Sequence, residues 1–280
     1  MKKWDIGAST CGRETLTDSV FEEYRDAGIK YMEISLKNIE NYNDPDEKTE
    51  VIISHDTDKI KSAAIRNNVI IWSLHLPFGA GYYDISCEET EKRQNAVQKY
   101  SRLIGYASEI GAKIAVLHPS FEPIEDRFRE ERIKLSTDSL YILSEVAKKY
   151  GIKLAVENLP RTCLGRTGDE IMKLISADES LGVCFDVNHL LLQSHKDFVS
   201  EVRNKIITVH ISDYDFIDEC HLLPGKGKID WKELIGLLKD VGYNGPFMNE
   251  VRGRMRIEKS DCCTYEEIFN TNKKMLDRYF

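Results

Sequence analysis

Short runs of β-branched and apolar residues alternate eight times along this chain with longer stretches of helical periodicity. The runs are Trp4–Thr10, Lys30–Leu36, Val69–Leu76, Ile114–Ser120, Lys153–Leu159, Leu181–Val187, Ile206–Ser212 and Pro246–Val251, and a last helix is predicted over Tyr265–Tyr279. Strands joined through helix-length segments cannot pair as hairpins; they cross over and lie parallel. Several helices stop at a glycine that leads straight into the next run: Ala27-Gly28-Ile29, Ile110-Gly111-Ala112, Tyr150-Gly151-Ile152 and Val241-Gly242-Tyr243. Glycine ends a helix there because it takes the left-handed conformation without a Cβ penalty. Eight such units in 280 residues fit a closed barrel better than a doubly wound sheet. The doubly wound alternative calls for a Gly-rich fingerprint after the first strand, and here that place holds Cys11-Gly12-Arg13-Glu14. The expected fold is α/β, a single (β/α)8 TIM barrel occupying residues 1–280 as one domain, since no Pro/Ser-rich linker divides it.

Charge narrows the function classes. With 39 Lys and Arg against 47 Asp and Glu, the net charge is −8, which argues against a surface built to grip nucleic acid or anionic lipid. No stretch stays apolar for the eighteen or more residues of a membrane span, and the N-terminal lysines have no apolar segment behind them, so a cytoplasmic protein is expected. Seven scattered cysteines without a C-x-x-C pair suggest reduced thiols rather than a disulfide framework or a zinc ribbon.

In a barrel of this kind the loops after the strands form the active face. Six successive runs end in ionisable residues: His75-Leu76-Pro77, His118-Pro119, Glu157-Asn158, Asp186-Val187-Asn188-His189, His210-Ile211-Ser212-Asp213 and Asn249-Glu250. One histidine or carboxylate after an apolar run is ordinarily a hydrogen-bonded structural residue or a helix cap. Several anionic groups converging on one barrel mouth would repel one another unless a cation sat among them. Glu157, Asp186, His210 and Glu250 supply three carboxylates and an imidazole, a set suited to a hard or borderline divalent ion. Mn2+ is the first expectation, with Mg2+, Co2+ and Zn2+ as alternatives.

Glu157 and Glu250 each have one oxygen to ligate an ion and a second that could take or give a proton, or they are ligands alone. His75, His118, His189 and His221 would hydrogen-bond substrate hydroxyls or hold further ions. Glu33 reaches either the barrel mouth or a buried hydrogen bond. His55 and His195 read as ordinary surface residues, Arg252, Arg254 and Arg256 as solvated, and Asp230 as the N-cap of the next helix. The glycines of Pro224-Gly225-Lys226-Gly227-Lys228 allow a close backbone approach, although solvated lysines in an exposed loop are the plainer expectation. Neither Cys163 nor Cys184 has a positioned base to make it a nucleophile.

The ordered set of strand ends, extended by His221-Leu222-Leu223-Pro224-Gly225-Lys226-Gly227-Lys228-Ile229-Asp230-Trp231, resembles the xylose-isomerase-like superfamily of sugar phosphate isomerases and epimerases across essentially the whole chain. That resemblance implies metal ligation by Glu157, Asp186, His210 and Glu250, and substrate contacts from His189 and Arg161. Many ketose 3-epimerases carry a second glutamate six residues after the first, and this chain has Cys163 there. The implied activity is a divalent-metal-dependent isomerase or epimerase of carbohydrate metabolism, with a small sugar, sugar phosphate or cyclitol ketone as partner. A homo-oligomer is compatible with it.

The same superfamily includes apurinic endonucleases of the endonuclease-four type, which use three zinc ions. His75, His118, His189 and the Glu219-Cys220-His221 element stand as candidates for that fuller ligand set. Against a zinc phosphodiesterase of this kind stands the net charge, since a nuclease must neutralise phosphates. A barrel that binds sugar without turning it over is a third reading.

Overall fold

The computed structural model describes residues 3–11, 16–36, 57–79, 82–251 and 263–280. His55, Cys262, Arg252, Arg254 and Arg256 lie outside the described residues. In chain order the elements are β1 (Ile6–Ser9), α1 (Asp18–Ala27), β2 (Tyr31–Ser35), α2 (Thr57–Arg66), β3 (Ile70–His75), α3 (Thr90–Glu109), β4 (Ile114–Leu117), α4 (Arg129–Tyr150), β5 (Lys153–Glu157), α5 (Gly168–Ile175), β6 (Gly182–Asp186), α6 (His195–Val202), β7 (Ile206–His210), α7 (Trp231–Asp240), β8 (Phe247–Asn249) and α8 (Tyr265–Tyr279). The strands are parallel and run β7-β6-β5-β4-β3-β2-β1-β8 around the sheet. The seam between β7 and β8 is joined by the parallel bridge of Ile211 with Asn249, whose bonds are Ile211 N–H to Met248 O at 2.8 Å and Glu250 N–H to Ile211 O at 3.0 Å. The molecule is a (β/α)8 TIM barrel.

The glycine joints behave as their sequence implies. Gly28, Gly111, Gly151 and Gly242 all take positive φ, between 67° and 87°, at the helix-to-strand turns. The last helix spans the predicted residues and opens with a capping box in which Thr264 and Glu267 satisfy each other's backbone N–H. The strands are shorter than the apolar runs. Ile114–Ser120 contracts to four residues and Pro246–Val251 to three, because the chain leaves the sheet just where the ionisable residues begin.

Strand parity decides which side chains meet at the mouth. Val156, Phe185 and Val209 face outward into the large core shared with the helices. Val116, Ala155 and Cys184 belong instead to a separate cluster with Ile114, Trp72 and Ile207, which fills the barrel's interior. Two residues further on each of those three strands come His118, Glu157 and Asp186, so the same inward face ends in titratable groups. Two bulges adjust this pattern. The register steps over Trp72 between β2 and β3, and over Ile207 between β6 and β7, and the two extra residues plug the interior. Among the described residues, no helix is long and apolar enough to cross a membrane.

Candidate metal centre at the barrel mouth

Four carboxylate or imidazole groups, Glu157, Asp186, His210 and Glu250, bring one ligand atom each within 4.8 Å of one another, and all four are buried. His210 is the hub. Its Nδ1 lies 3.1 Å from Glu157 Oε1, 3.2 Å from Glu250 Oε2 and 3.8 Å from Asp186 Oδ2. Three further groups overlap this one: His75 with His118 and Glu157, His189 with His221 and Asp186, and Cys184 with Glu157 and His210. Glu157 and Asp186 are therefore shared between neighbouring groups.

The histidine tautomers show what the arrangement suits. His75 Nδ1 meets Leu76 O at 2.8 Å, His189 Nδ1 meets Asn158 O at 2.9 Å, and His221 Nδ1 meets Glu250 O at 3.2 Å. A carbonyl can only accept, so each Nδ1 carries the hydrogen. Each Nε2 then turns to a carboxylate: His75 to Glu157 Oε2 at 3.0 Å, His189 to Glu219 Oε2 at 3.1 Å and Asp186 Oδ2 at 3.5 Å, and His221 to Glu219 Oε2 at 3.9 Å. An imidazole lone pair facing a carboxylate is repulsive unless a proton or a cation lies between them. Asp186 Oδ2 is buried and accepts no hydrogen bond among the described residues. A donor set of carboxylates and imidazoles backed by backbone carbonyls fits a divalent ion well.

Protonation follows from the same crowding. Burial alone would raise Glu157, but His210 and His118 beside it hold its carboxyl well below the usual range. Asp186 goes the other way: burial pushes its carboxyl up to about 7, against the pull of His189. Burial lowers the His189 imidazole, yet Asp186 and the hydrogen bond to Glu219 more than offset this and lift it to about 10. Burial opposes ionisation of Glu219 also, and His189 overcomes it to hold that carboxyl at about 2. Burial drives the Cys163 thiol up to about 12, in keeping with an inert cysteine.

Above the ligand groups lies a recess of about 130 Å3 whose lining includes His75, His118, Glu157, Arg161, His189, Glu219, His221 and Glu250. Asp186 and His210 are wholly buried. Phe78 stacks on His118 at 4.2 Å and forms one wall. Arg161 lines the recess, but its guanidinium is already engaged by Glu122, Asp218 and Glu219 at 2.8, 2.8 and 3.2 Å. It ties the loops after β4, β5 and β7 together, and through Glu219 it acts on His189.

Several residues of the strand-end motifs support the site from behind instead of lining it. Asn158 clamps β6 by accepting the Asp186 N–H and donating to Asp186 O, at 2.8 and 2.9 Å. Asn188 Oδ1 accepts the backbone N–H groups of Cys220 and His221. Asp213, fully buried, accepts from Tyr214 N, Gly225 N, Ile229 N and Trp231 Nε1. One expectation needs correction. His195 is not a surface residue: it is buried, with its Nε2–H donated to Val187 O at 2.7 Å and its ring against Phe185. The loop after His221 follows its reading: the close backbone approach at Gly227 is made to Asp213 and Tyr214, whose atoms would lie 2.3–2.6 Å from an added Cβ, and Lys226 and Lys228 are exposed. Asp230 caps α7 as expected, accepting from Lys232 N and Glu233 N.

The sequence profile of the xylose isomerase-like TIM barrel matches residues 21–276. The chain belongs to that family. Among curated relatives of this xylose isomerase-like barrel, an uncharacterized protein of Methanocaldococcus jannaschii is 29% identical over 181 residues, 61% of this chain and 62% of the relative. The inosose isomerase of Bacillus licheniformis is 28% identical over 160 residues, 53% of this chain and 57% of the enzyme. The matched part of the barrel thus spans about three fifths of the length of these relatives. Among solved structures, a D-tagatose 3-epimerase-like protein superposes with a TM-score of 0.77 at 25% identity, covering 98% of this chain and 96% of its own. The IolI protein, whose crystal structure holds a zinc atom, shares the fold with a TM-score of 0.77 at 20% identity, covering 98% and 99%.

Proposed function

We propose that this chain is a divalent-metal-dependent isomerase or epimerase of a small sugar, sugar phosphate or cyclitol ketone, with residues 1–280 acting as one catalytic domain. The observation that carries this reading is the convergence of Glu157 and Glu250 on His210 Nδ1, at 3.1 and 3.2 Å, with Asp186 in the same group. Supporting it are relatives named as an inosose isomerase and a D-tagatose 3-epimerase-like protein. Glu157, Asp186, His210 and Glu250 would hold the ion, for which Mn2+ is our first choice and the zinc of IolI a precedent. Bound there, a divalent ion supplies Lewis-acid polarisation of a carbonyl and its neighbouring hydroxyl.

The protein's own groups do the rest. Glu157, held as a carboxylate by the imidazoles around it, accepts a proton from the carbon beside the ketone. Glu250, which meets the same His210 Nδ1 and would enter the step protonated, gives its proton to the other face and inverts that carbon. His75, His118, His189 and His221 orient hydroxyls from the wall of the recess.

Incubation with a panel of ketoses and inososes in deuterated water is expected to place deuterium on the carbon beside the carbonyl, and a chelator should stop this until Mn2+ or Co2+ is restored. Full exchange in metal-free protein would refute the proposal. Ion binding should also release protons, because at neutral pH the Asp186 carboxyl, near 7, is about half protonated and the His189 imidazole, near 10, is largely so. Raising the pH from about 6 to about 8 removes the Asp186 proton beforehand, so apparent affinity for Mn2+ rises over that window. Calorimetry in buffers of different ionisation heat measures the effect; a pH-independent affinity would contradict it.

One observation favours a second reading. The groups His75–His118–Glu157 and Asp186–His189–His221, with Glu219 beside the latter, lie on either side of the centre and share Glu157 and Asp186 with it. That is the pattern expected of an endonuclease-four-like zinc phosphodiesterase acting on apurinic sites. Three ions per chain and cleavage of a duplex at an abasic site would establish it; about one ion and carbon-bound exchange would establish the first.

A further inference from the structure

Glu33 belongs to β2, separated from β7 around the wall by β1 and β8, and it is fully buried. The acid/base reading makes no use of it. A carboxylate in such a place loses its hydration and persists where fixed donors replace the water. Ser73 Oγ–H donates to Glu33 Oε2 at 2.8 Å, and His210 Nε2 lies 3.1 Å from the same oxygen. The Ser73 contact depends on the bulge at Trp72. Register steps from Met32 opposite Ile71 to Glu33 opposite Ser73; without the extra residue Glu33 would pair with Trp72 and lose its hydroxyl. The His210 ring therefore stands between one carboxylate behind it, at Nε2, and Glu157 and Glu250 in front of it, at Nδ1.

We propose that Glu33 is a positioning residue: it holds the Nε2–H of His210 and so fixes the tautomer whose Nδ1 lone pair faces a divalent cation shared with Glu157, Asp186 and Glu250. The inference rests on the metal-centre reading above. An imidazole whose rear N–H donates to a carboxylate is a more basic and better-aimed ligand, and loss of such a partner typically weakens metal binding by roughly 10–100-fold. Ser73 steadies Glu33 in turn, so its removal acts in the same direction by a smaller factor.

The test uses Zn2+ alone as the probe, by competition calorimetry on the full chain, with the imidazole nitrogens of labelled protein followed by NMR. Glu33→Gln keeps the shape and an acceptor oxygen but removes the charge. It is expected to weaken Zn2+ roughly 10–100-fold, with the fold intact by circular dichroism. Ser73→Ala should weaken it less. The wild-type spectrum is expected to show His210 metallated at Nδ1 and protonated at Nε2. An unchanged Zn2+ affinity in Glu33→Gln, or metallation at Nε2, overturns the role of Glu33 while leaving the metal centre standing. A wild-type chain that binds no Zn2+ overturns both.

Discussion

Glu250→Gln is expected to reduce exchange of the carbon-bound proton by roughly a thousandfold, within the range seen when a positioned acid or base is removed. A loss of that size corresponds to about 4 kcal/mol of transition-state stabilisation. The amide keeps the volume of the side chain and one oxygen that can still ligate, so the substitution separates proton transfer from the ligand role. The backbone at this position is fixed independently, since Glu250 N–H donates to Ile211 O across the barrel seam at 3.0 Å and Glu250 O receives the His221 ring. Substrate affinity should therefore fall far less than turnover. Metal content measured on the same preparation shows whether the ion is retained. Unchanged turnover would remove Glu250 from the mechanism; lost turnover with lost metal would assign it to ligation alone.

The barrel and the floor of its mouth were readable because both are written in local terms. A glycine at a helix end is a statement about one backbone conformation, and Gly28, Gly111, Gly151 and Gly242 each adopt it. The parity that carries Ala155 to Glu157 and Cys184 to Asp186 is a property of any strand, so the inward turn of those carboxylates needed no knowledge of the rest of the chain. What the sequence conceals is set by partners far away. Glu33 reads as a group for the mouth or for a buried hydrogen bond, but its partners emerge only when the bulge at Trp72 brings Ser73 opposite it and β7 delivers His210 across the interior. His195 opens a helix among polar residues, and only the approach of Phe185 and Val187 O turns its ring inward. Arg161 reads as a substrate contact, and nothing near it in the chain announces the carboxylates that meet it from the loops after β4 and β7.

Asp213→Ala should have the largest effect on folding, and its effect should be confined to one side of the metal centre. Both carboxylate oxygens are used: Oδ1 accepts from Tyr214 N at 2.9 Å and Ile229 N at 3.1 Å, and Oδ2 from Gly225 N at 2.7 Å and Trp231 Nε1 at 3.0 Å. Alanine would leave these donors without the buried acceptor they share. Breaking a buried, charge-assisted network of this kind costs about 3–5 kcal/mol. The segment it organises, from Asp213 to Trp231, carries Glu219 and His221, whereas Glu157, Asp186 and His210 sit at strand ends held by the ladder itself. The variant should thus keep an ion among Glu157, Asp186, His210 and Glu250 while losing the group around His189 and His221. Hydrogen exchange gives the decisive measurement. The Gly225 and Ile229 amides should exchange far faster in the variant while those of β5 and β6 stay protected; equal protection at Gly225 and Ile229 would show that the loop is held by something other than Asp213.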